Sequence, residues 1–283
     1  MYKTSEGFSS SMKAWINRSV ENIADLLKSA SQQEKDEFLY KSLPIWSLKL
    51  LNSYFKVQVS GSEYLPREGR AIVISNHSGF AGFDALMLAQ HIRENTQRHP
   101  RIMTHRLWFS LPFLKKISPN VGFVEARLEA AQQSLEKDQL LLMFPEGEEG
   151  NFKVSSKRYQ LRDFRRGFIR LSVMTGAPII PAIVLGAEES SITLGQINYL
   201  KKYFGLPIPL PLNLIPFPVQ WTIKFFPPID TSSLSKDDLN DNKKIVAFSK
   251  KIRHDLQKKI LHELKLRKNI SLKGMKIDRD DLP

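Results

Sequence analysis

From Val57 onward, short apolar runs alternate with helical patterns, and that alternation leaves few folds open. Runs of strand length cover residues 57–59, 71–75, 121–124, 139–144, 178–185 and 220–225. Helical periodicity lies between them, at 84–92, 107–116, 126–134 and 168–174. Strands that alternate with helices predict an α/β domain with a largely parallel central sheet flanked by helices. Upstream, Trp15, Ile16, Val20, Ile23, Leu26 and Leu27 recur at helical spacing. Residues 31–35 read as a break with capping residues. A second helix is expected over 36–55, with Pro44 marking a kink or a boundary. Downstream, Ile245, Phe248, Ile252, Leu256, Ile260 and Leu264 form one apolar stripe on a basic C-terminal amphipathic helix. Lys250, Lys251, Arg253, Lys258 and Lys259 occupy its other faces, either as a solvated surface or against anionic headgroups. Three parts are expected: N-terminal helices over 1–55 as a candidate membrane-contacting segment, a main domain over 56–234, and a basic helix and tail over 235–283.

Charge narrows the partners. Lys and Arg number 42 against 29 Asp and Glu, a net charge of +13. Such a balance points to a nucleic acid, an anionic membrane surface or phosphorylated substrates. No recognised nucleic-acid motif accompanies the charge, which argues against the first. The chain has no cysteine, so disulfides, thiolate metal sites and a cysteine nucleophile are excluded. His91, His99, His105, His254 and His262 lack metal-ligand spacing, and no metal is expected. The first residues do not read as a signal peptide, and no stretch reads as a regular membrane-spanning helix. The long uncharged run 204–221 is interrupted by Pro207, Pro209, Pro211, Pro216 and Pro218, each of which breaks a helix. It is expected to be an apolar loop, buried or lying at a membrane surface.

Three clusters could carry chemistry. Ser75-Asn76-His77-Ser78-Gly79-Phe80-Ala81-Gly82-Phe83-Asp84 follows an apolar strand directly, where α/β proteins place their sites. Gly79 and Gly82 let the loop fold back so that the Asp84 carboxylate reaches the His77 imidazole, as a general base requires. The same spacing fits a structural histidine beside an Asp84 that only caps the helix, and on spacing alone that plainer alternative has the edge. Next, Phe144-Pro145-Glu146-Gly147-Glu148-Glu149-Gly150 ends another apolar strand in an acidic turn. It is a solvated loop or a place for hydroxyl groups or a cation. Finally, Lys153, Lys157, Arg158, Arg162, Arg165, Arg166 and Arg170 stand against the single acid Asp163. The cluster suits phosphate-bearing ligands or a lipid-facing surface.

Taken together and in this order, NHSGFAGFD, VGFVEAR, FPEGEEG and APIIPAIVLG resemble the four blocks of the glycerolipid acyltransferase family. The likeness runs over roughly residues 45–230. It implies transfer of a fatty acyl group from acyl-CoA or acyl carrier protein to a hydroxyl of a lysophosphatidate-like glycerolipid, with residues 56–234 as the catalytic domain. By the same likeness His77 is the general base and Asp84 orients it, with direct attack and no acyl-enzyme. Arg127, Glu146 and Gly147 would bind the acceptor, helped by Lys153 and Arg158, and Pro181 would lie near the acyl chain. No cofactor is implied beyond the acyl donor. The implied location is the cytoplasmic face of a membrane, held peripherally or monotopically on an anionic surface.

The chain departs from the family pattern twice. Six residues, not four, separate His77 from Asp84, and Glu148 and Glu149 stand where an Arg usually follows Glu-Gly. The second departure keeps two alternatives open. One is an O-acyltransferase for another lysolipid or lipid alcohol lacking the phosphate. The other is a catalytically inactive lipid-binding relative.

Overall fold

A computed structural model describes residues 31–78, 82–110, 112–197 and 208–267, with a few isolated positions besides. Apart from position 18, the helical pattern expected from Trp15 to Leu27 lies outside them. The chain divides into two compact units, Met1–Ser47 and Leu48–Pro283. In the first, helix α1 (Gln32–Glu37) opens on a reciprocal cap, with Ser31 Oγ accepting from Glu34 N and Glu34 Oε2 accepting from Ser31 N. A π-helical turn, Phe38–Ser42, then leads into α2 (Leu43–Phe55). Leu43 N–H bonds to Phe38 O, five residues back, so the widened turn carries the chain into the position where Pro44 has no N–H to give. The expected break at Pro44 is therefore a π-turn in a helix that continues.

The second unit is built on a seven-stranded sheet. Its strands are β1 (Gln58–Ser60), β2 (Ala71–Ser75), β3 (Arg101–Thr104), β4 (Phe123–Glu125), β5 (Leu140–Met143), β6 (Ile179–Leu185) and, at the far end of the sequence, Thr222–Phe225. Between β6 and that last strand a separate hairpin forms from β7 (Thr193–Ile197) and β8 (Ile208–Pro211), which makes Thr222–Phe225 β9. The sheet order is β1-β9-β6-β2-β5-β3-β4. All neighbours are parallel except β6 and β9. The expected largely parallel sheet is thus present, with β1 and β9 reversed as a pair at one side. Strand β3 was not expected: its four residues, beginning right after Pro100, are too short for a period to declare itself.

Helices cover both faces. They are α3 (Phe83–Thr96), α4 (Leu107–Ser110), α5 (Pro112–Val121), α6 (Leu128–Glu136), α7 (Glu148–Asn151), α8 (Gly167–Thr175), α9 (Ala187–Ser190) and α10 (Asn242–Leu266). Alternation along β2 sorts the core. Ile72 and Ile74 face α6, α8 and α10, and Ala71 and Val73 face α2 and α3. The stripe Ile245, Ile252, Leu256, Ile260 and Leu264 is buried in the first of these layers, so α10 shares the core of the sheet. Part of the run expected as a loop over 204–221 is strand β8; positions 203–207 lie outside the described residues. Among the described residues no helix is long and apolar enough to cross a membrane.

The strand ends that matter are the C-terminal ends of β2, β3, β4 and β5. Parallel pairing brings them to one edge of the sheet, where each strand runs into a loop.

Candidate active site

At the end of β2 the buried Asn76 continues the sheet with its side chain. Its Nδ2 donates to Val184 O at 2.9 Å and its Oδ1 accepts from Val184 N at 2.8 Å. The ladder is thereby satisfied one residue past the strand, and the backbone is free to turn at His77.

That turn is fixed from two sides. Glu146 Oε1, after β5, accepts the His77 N–H at 3.1 Å, and Asp84 Oδ2, in the first turn of α3, accepts the Ser78 N–H at 2.8 Å. The same Asp84 oxygen lies 2.7 Å from His77 Nδ1, with Asp84 fully buried. Six intervening residues therefore close the pair. A carboxylate that already accepts a backbone N–H accepts from the ring as well, so the proton sits on Nδ1 and the Nε2 lone pair is left for chemistry. The His77 ring stacks on Phe144, with centroids 4.2 Å apart, and its side chain keeps 15% exposure.

His77 opens onto a cavity of about 300 Å³. Trp108, Phe123, Phe144, Phe152, Phe168 and Leu171 give it apolar walls. Its polar groups include His77, His105, Arg127, Glu148 and Arg165, with Gly147 between them. Arg127, at the start of α6, is largely exposed and lies 3.7 Å from Glu125 and 3.9 Å from Glu129. Arg165 Nη2 meets Glu148 Oε2 at 2.6 Å. Burial pushes the Glu148 carboxyl up, but its backbone hydrogen bond, Arg165 and His105 outweigh this and hold it below its ordinary value. Burial likewise holds the His105 imidazole below its ordinary value, against Glu148.

Arg165 stands over the acidic turn. Its N–H bonds to Pro145 O at 2.8 Å. A Cβ on Gly147 would lie 2.9 Å from its guanidinium carbon, and Gly147 also has φ of 61°, which an L side chain resists. A guanidinium from the loop before α8 thus covers the turn where the expected Arg is missing.

Several residues expected to touch the acceptor are placed otherwise. Glu146 does not line the cavity. Its Oε2 accepts the Arg162 N–H at 2.7 Å and lies 3.4 Å from Lys153 Nζ, so the carboxylate ties two loops together. Lys153 is buried and bonded to Glu188 Oε1 at 3.1 Å, which leaves it no face toward a phosphate. Burial works against its charge, but Glu188 and Glu146 together raise its pKa. Arg158 is half-buried and Pro181 is buried, and neither lines the cavity. Pro181 falls between Ile180 and Ala182 in β6, so the alternation points it to the face that α10 covers.

The sequence reading missed Glu188, Glu189 and His105. The first two follow Gly186 and belong to a buried network in which Tyr159 OH donates to Glu189, Tyr159 N donates to Glu188 at 2.5 Å, and Arg267 pairs with Glu189 at 3.2 Å. An acidic pair directly after an apolar strand was the available signal.

Gly150 offers a sharp test of this packing. A Cβ there would lie 2.5 Å from Glu146 Cβ. Gly150→Ala is expected to cost about 1–3 kcal/mol by overpacking and to displace the carboxylate that holds His77. Gly167→Ala, with nothing within 4 Å, serves as control. Denaturant titration of both variants measures the difference.

Comparison with known proteins agrees with this architecture. Residues 56–185 match the family model described as Acyltransferase. An uncharacterized protein of Mycobacterium tuberculosis is 34% identical over 230 residues, covering 77% of this chain and 64% of that protein. The chain thus spans a little under two thirds of the length of the mycobacterial relatives it matches. A 1-acyl-sn-glycerol-3-phosphate acyltransferase of Limnanthes douglasii is 27% identical over 196 residues, covering 67% of this chain and 60% of that protein. The crystal structure of a 1-acyl-sn-glycerophosphate (LPA) acyltransferase from Thermotoga maritima has the same fold, with TM-score 0.50 and 18% identity over 84% of this chain and 86% of that one.

Proposed function

Through its domain at residues 56–185 this chain belongs to the glycerolipid acyltransferase family, and from that premise we propose that it acylates a hydroxyl of a lysophosphatidate-like glycerolipid. The donor is a thioester, acyl-CoA or acyl carrier protein. One observation carries the reading: a His77–Asp84 pair at 2.7 Å heads an apolar cavity whose polar wall holds Arg127 and Arg165.

In this reaction the His77 Nε2 takes the proton of the acceptor hydroxyl as its oxygen attacks the thioester carbonyl carbon. Asp84 keeps the ring oriented and offsets the charge of the imidazolium. The carbon–sulfur bond then breaks, and His77 passes the proton to the leaving thiolate, which restores the base. The apolar walls suit an acyl chain. Arg127 and Arg165 suit a phosphate monoester, which planar guanidinium groups bind through paired hydrogen bonds. The protein works at the cytoplasmic face of an anionic membrane, where its lipid acceptor resides and where each nearby Lys or Arg contributes about 1 kcal/mol.

An acceptor without phosphate is the second reading. The Glu148 carboxylate favours it, because it already occupies Arg165. Transfer from long-chain acyl-CoA and from acyl carrier protein to lysophosphatidate and to monoacylglycerol separates the two. Arg165→Ala is expected to raise KM for lysophosphatidate by about 10-fold or more, the worth of a hydrogen bond to a charged group, with KM for monoacylglycerol unchanged. Equal rates on both acceptors, with no effect of Arg165→Ala, would mean that phosphate is not read.

A further inference from the structure

We infer that the β7–β8 hairpin and the loop after it are the surface by which this protein docks on an anionic lipid bilayer, beside the mouth of the cavity. Among the described residues eleven large apolar side chains are exposed, and seven lie between Leu194 and Ile215. Leu214 and Ile215 are each 79% exposed. Concentrated apolar exposure of this kind marks an interaction surface.

The loop is built to present them. Asn213 Oδ1 accepts from Ile192 N at 2.8 Å, and its Nδ2 donates to Ser190 O and Ile215 O, both at 2.9 Å. Phe217 N donates to Ser190 O, and Tyr54 OH to Pro216 O, both at 2.7 Å. Leu214 and Ile215 are thus held outward between anchored neighbours.

Charge chooses the occupant. Residues 191–229 contain no Asp or Glu, in a chain with 29 of them, and the exposed Lys202 lies between β7 and β8. Lys202 Nζ lies 4.4 Å over the exposed ring of Tyr199. Leucines with an aromatic ring, a lysine and no carboxylate make the composition that settles at the boundary of headgroups and acyl chains.

Position gives the surface its purpose. β6 runs parallel to β2, so Leu185 ends at the same edge of the sheet as Ser75, and the hairpin departs from there. Gln196 Nε2 donates to Phe152 O at 2.5 Å, and Thr193 N donates to Ser155 Oγ at 2.8 Å. Phe152 itself lines the cavity. A bilayer under the hairpin lies next to the opening that leads to His77.

The inference deepens the lipid-acceptor reading, but partitioning is read without turnover. The chain has no cysteine, so Leu214→Cys takes a polarity-sensitive dye at one site, and Glu68→Cys, just before the N-terminal end of β2, is the control. With phosphatidylglycerol vesicles the dye at 214 is expected to shift to the blue and the dye at 68 to stay unchanged. Leu214→Asp combined with Ile215→Asp is expected to weaken co-sedimentation at least tenfold with thermal unfolding unaltered. Three results overturn the inference: an unshifted dye at 214 in protein that co-sediments, no co-sedimentation of the unmodified protein, or a dimer in solution that the double substitution dissociates. Transfer to a short-chain lysophosphatidate free in water reports on the reaction alone. Its absence counts against the proposed activity and leaves the partition result standing.

Discussion

Replacing His77 with alanine is expected to lower acyl transfer by about 10³-fold, within the range a positioned general base contributes. The donor and acceptor remain able to bind, because the cavity walls do not depend on the imidazole, so the loss falls on kcat more than on KM. Folding survives. The ring is at the cavity surface, and the carboxylate it leaves behind still accepts the Ser78 N–H. Asp84→Asn provides the companion measurement. Its amide can donate to Nδ1, which moves the ring proton to Nε2 and removes the base without changing side-chain volume. Both variants should therefore lose kcat, and circular dichroism should show both folded. A folded His77→Ala protein with full activity would remove His77 from the reaction.

The largest effect on stability is expected from Lys153→Met. Its ammonium is the cation between Glu146 and Glu188, at 3.4 and 3.1 Å, and all three side chains are buried. Removing one partner of a buried ionic cluster leaves charge uncompensated and costs about 3–5 kcal/mol. The loss should depend on pH, and its sign follows from Glu188. Burial already pushes that carboxyl up to about 7, against the pull of Lys153. A folded-state value above the unfolded one means that the native state binds the proton more tightly, so this group's contribution is present at low pH and is lost as pH rises through about 7. Without the ammonium the carboxyl is held higher still, and protonation relieves the variant. Urea titrations at pH 5 and pH 8 should show a smaller deficit at pH 5. A deficit under 1 kcal/mol at both would mean that the cluster is not ionic. Activity should fall with stability, since Glu146 also holds the His77 N–H.

The fold was readable where burial on two faces forces a pattern. Runs such as 71–74 and 178–185 are apolar at every position because helices cover both sides of the sheet. The His77–Asp84 pair was readable because strand, small-residue loop and helix follow one another in sequence. Lys153 was not. Counting cations in 153–170 treats each as free, whereas Lys153 is neutralised by Glu146 and by Glu188, which lies 35 residues away. Pro181 shows a similar limit: the strand was visible, but the face each position takes depends on which helix covers it. Arg165 entered the sequence reading only as one of seven cations. Its place over Gly147 depends on a backbone bond from Arg165 N to Pro145 O that no local spacing records.

The order in which the buried network meets its partners has a consequence for biosynthesis. Tyr159 and Leu161 are bound through Gln257, with Tyr159 O accepting at 2.8 Å from a residue 98 positions downstream, and Glu189 is met by Arg267, 78 positions downstream. The neighbouring Arg162 is tied to Glu146, and Glu146 to the backbone of His77. On the ribosome, the loop that steadies His77 must wait for α10 to leave the exit tunnel. A nascent chain that has exposed every strand of the sheet still lacks its clasp, and the site matures in one late step rather than strand by strand.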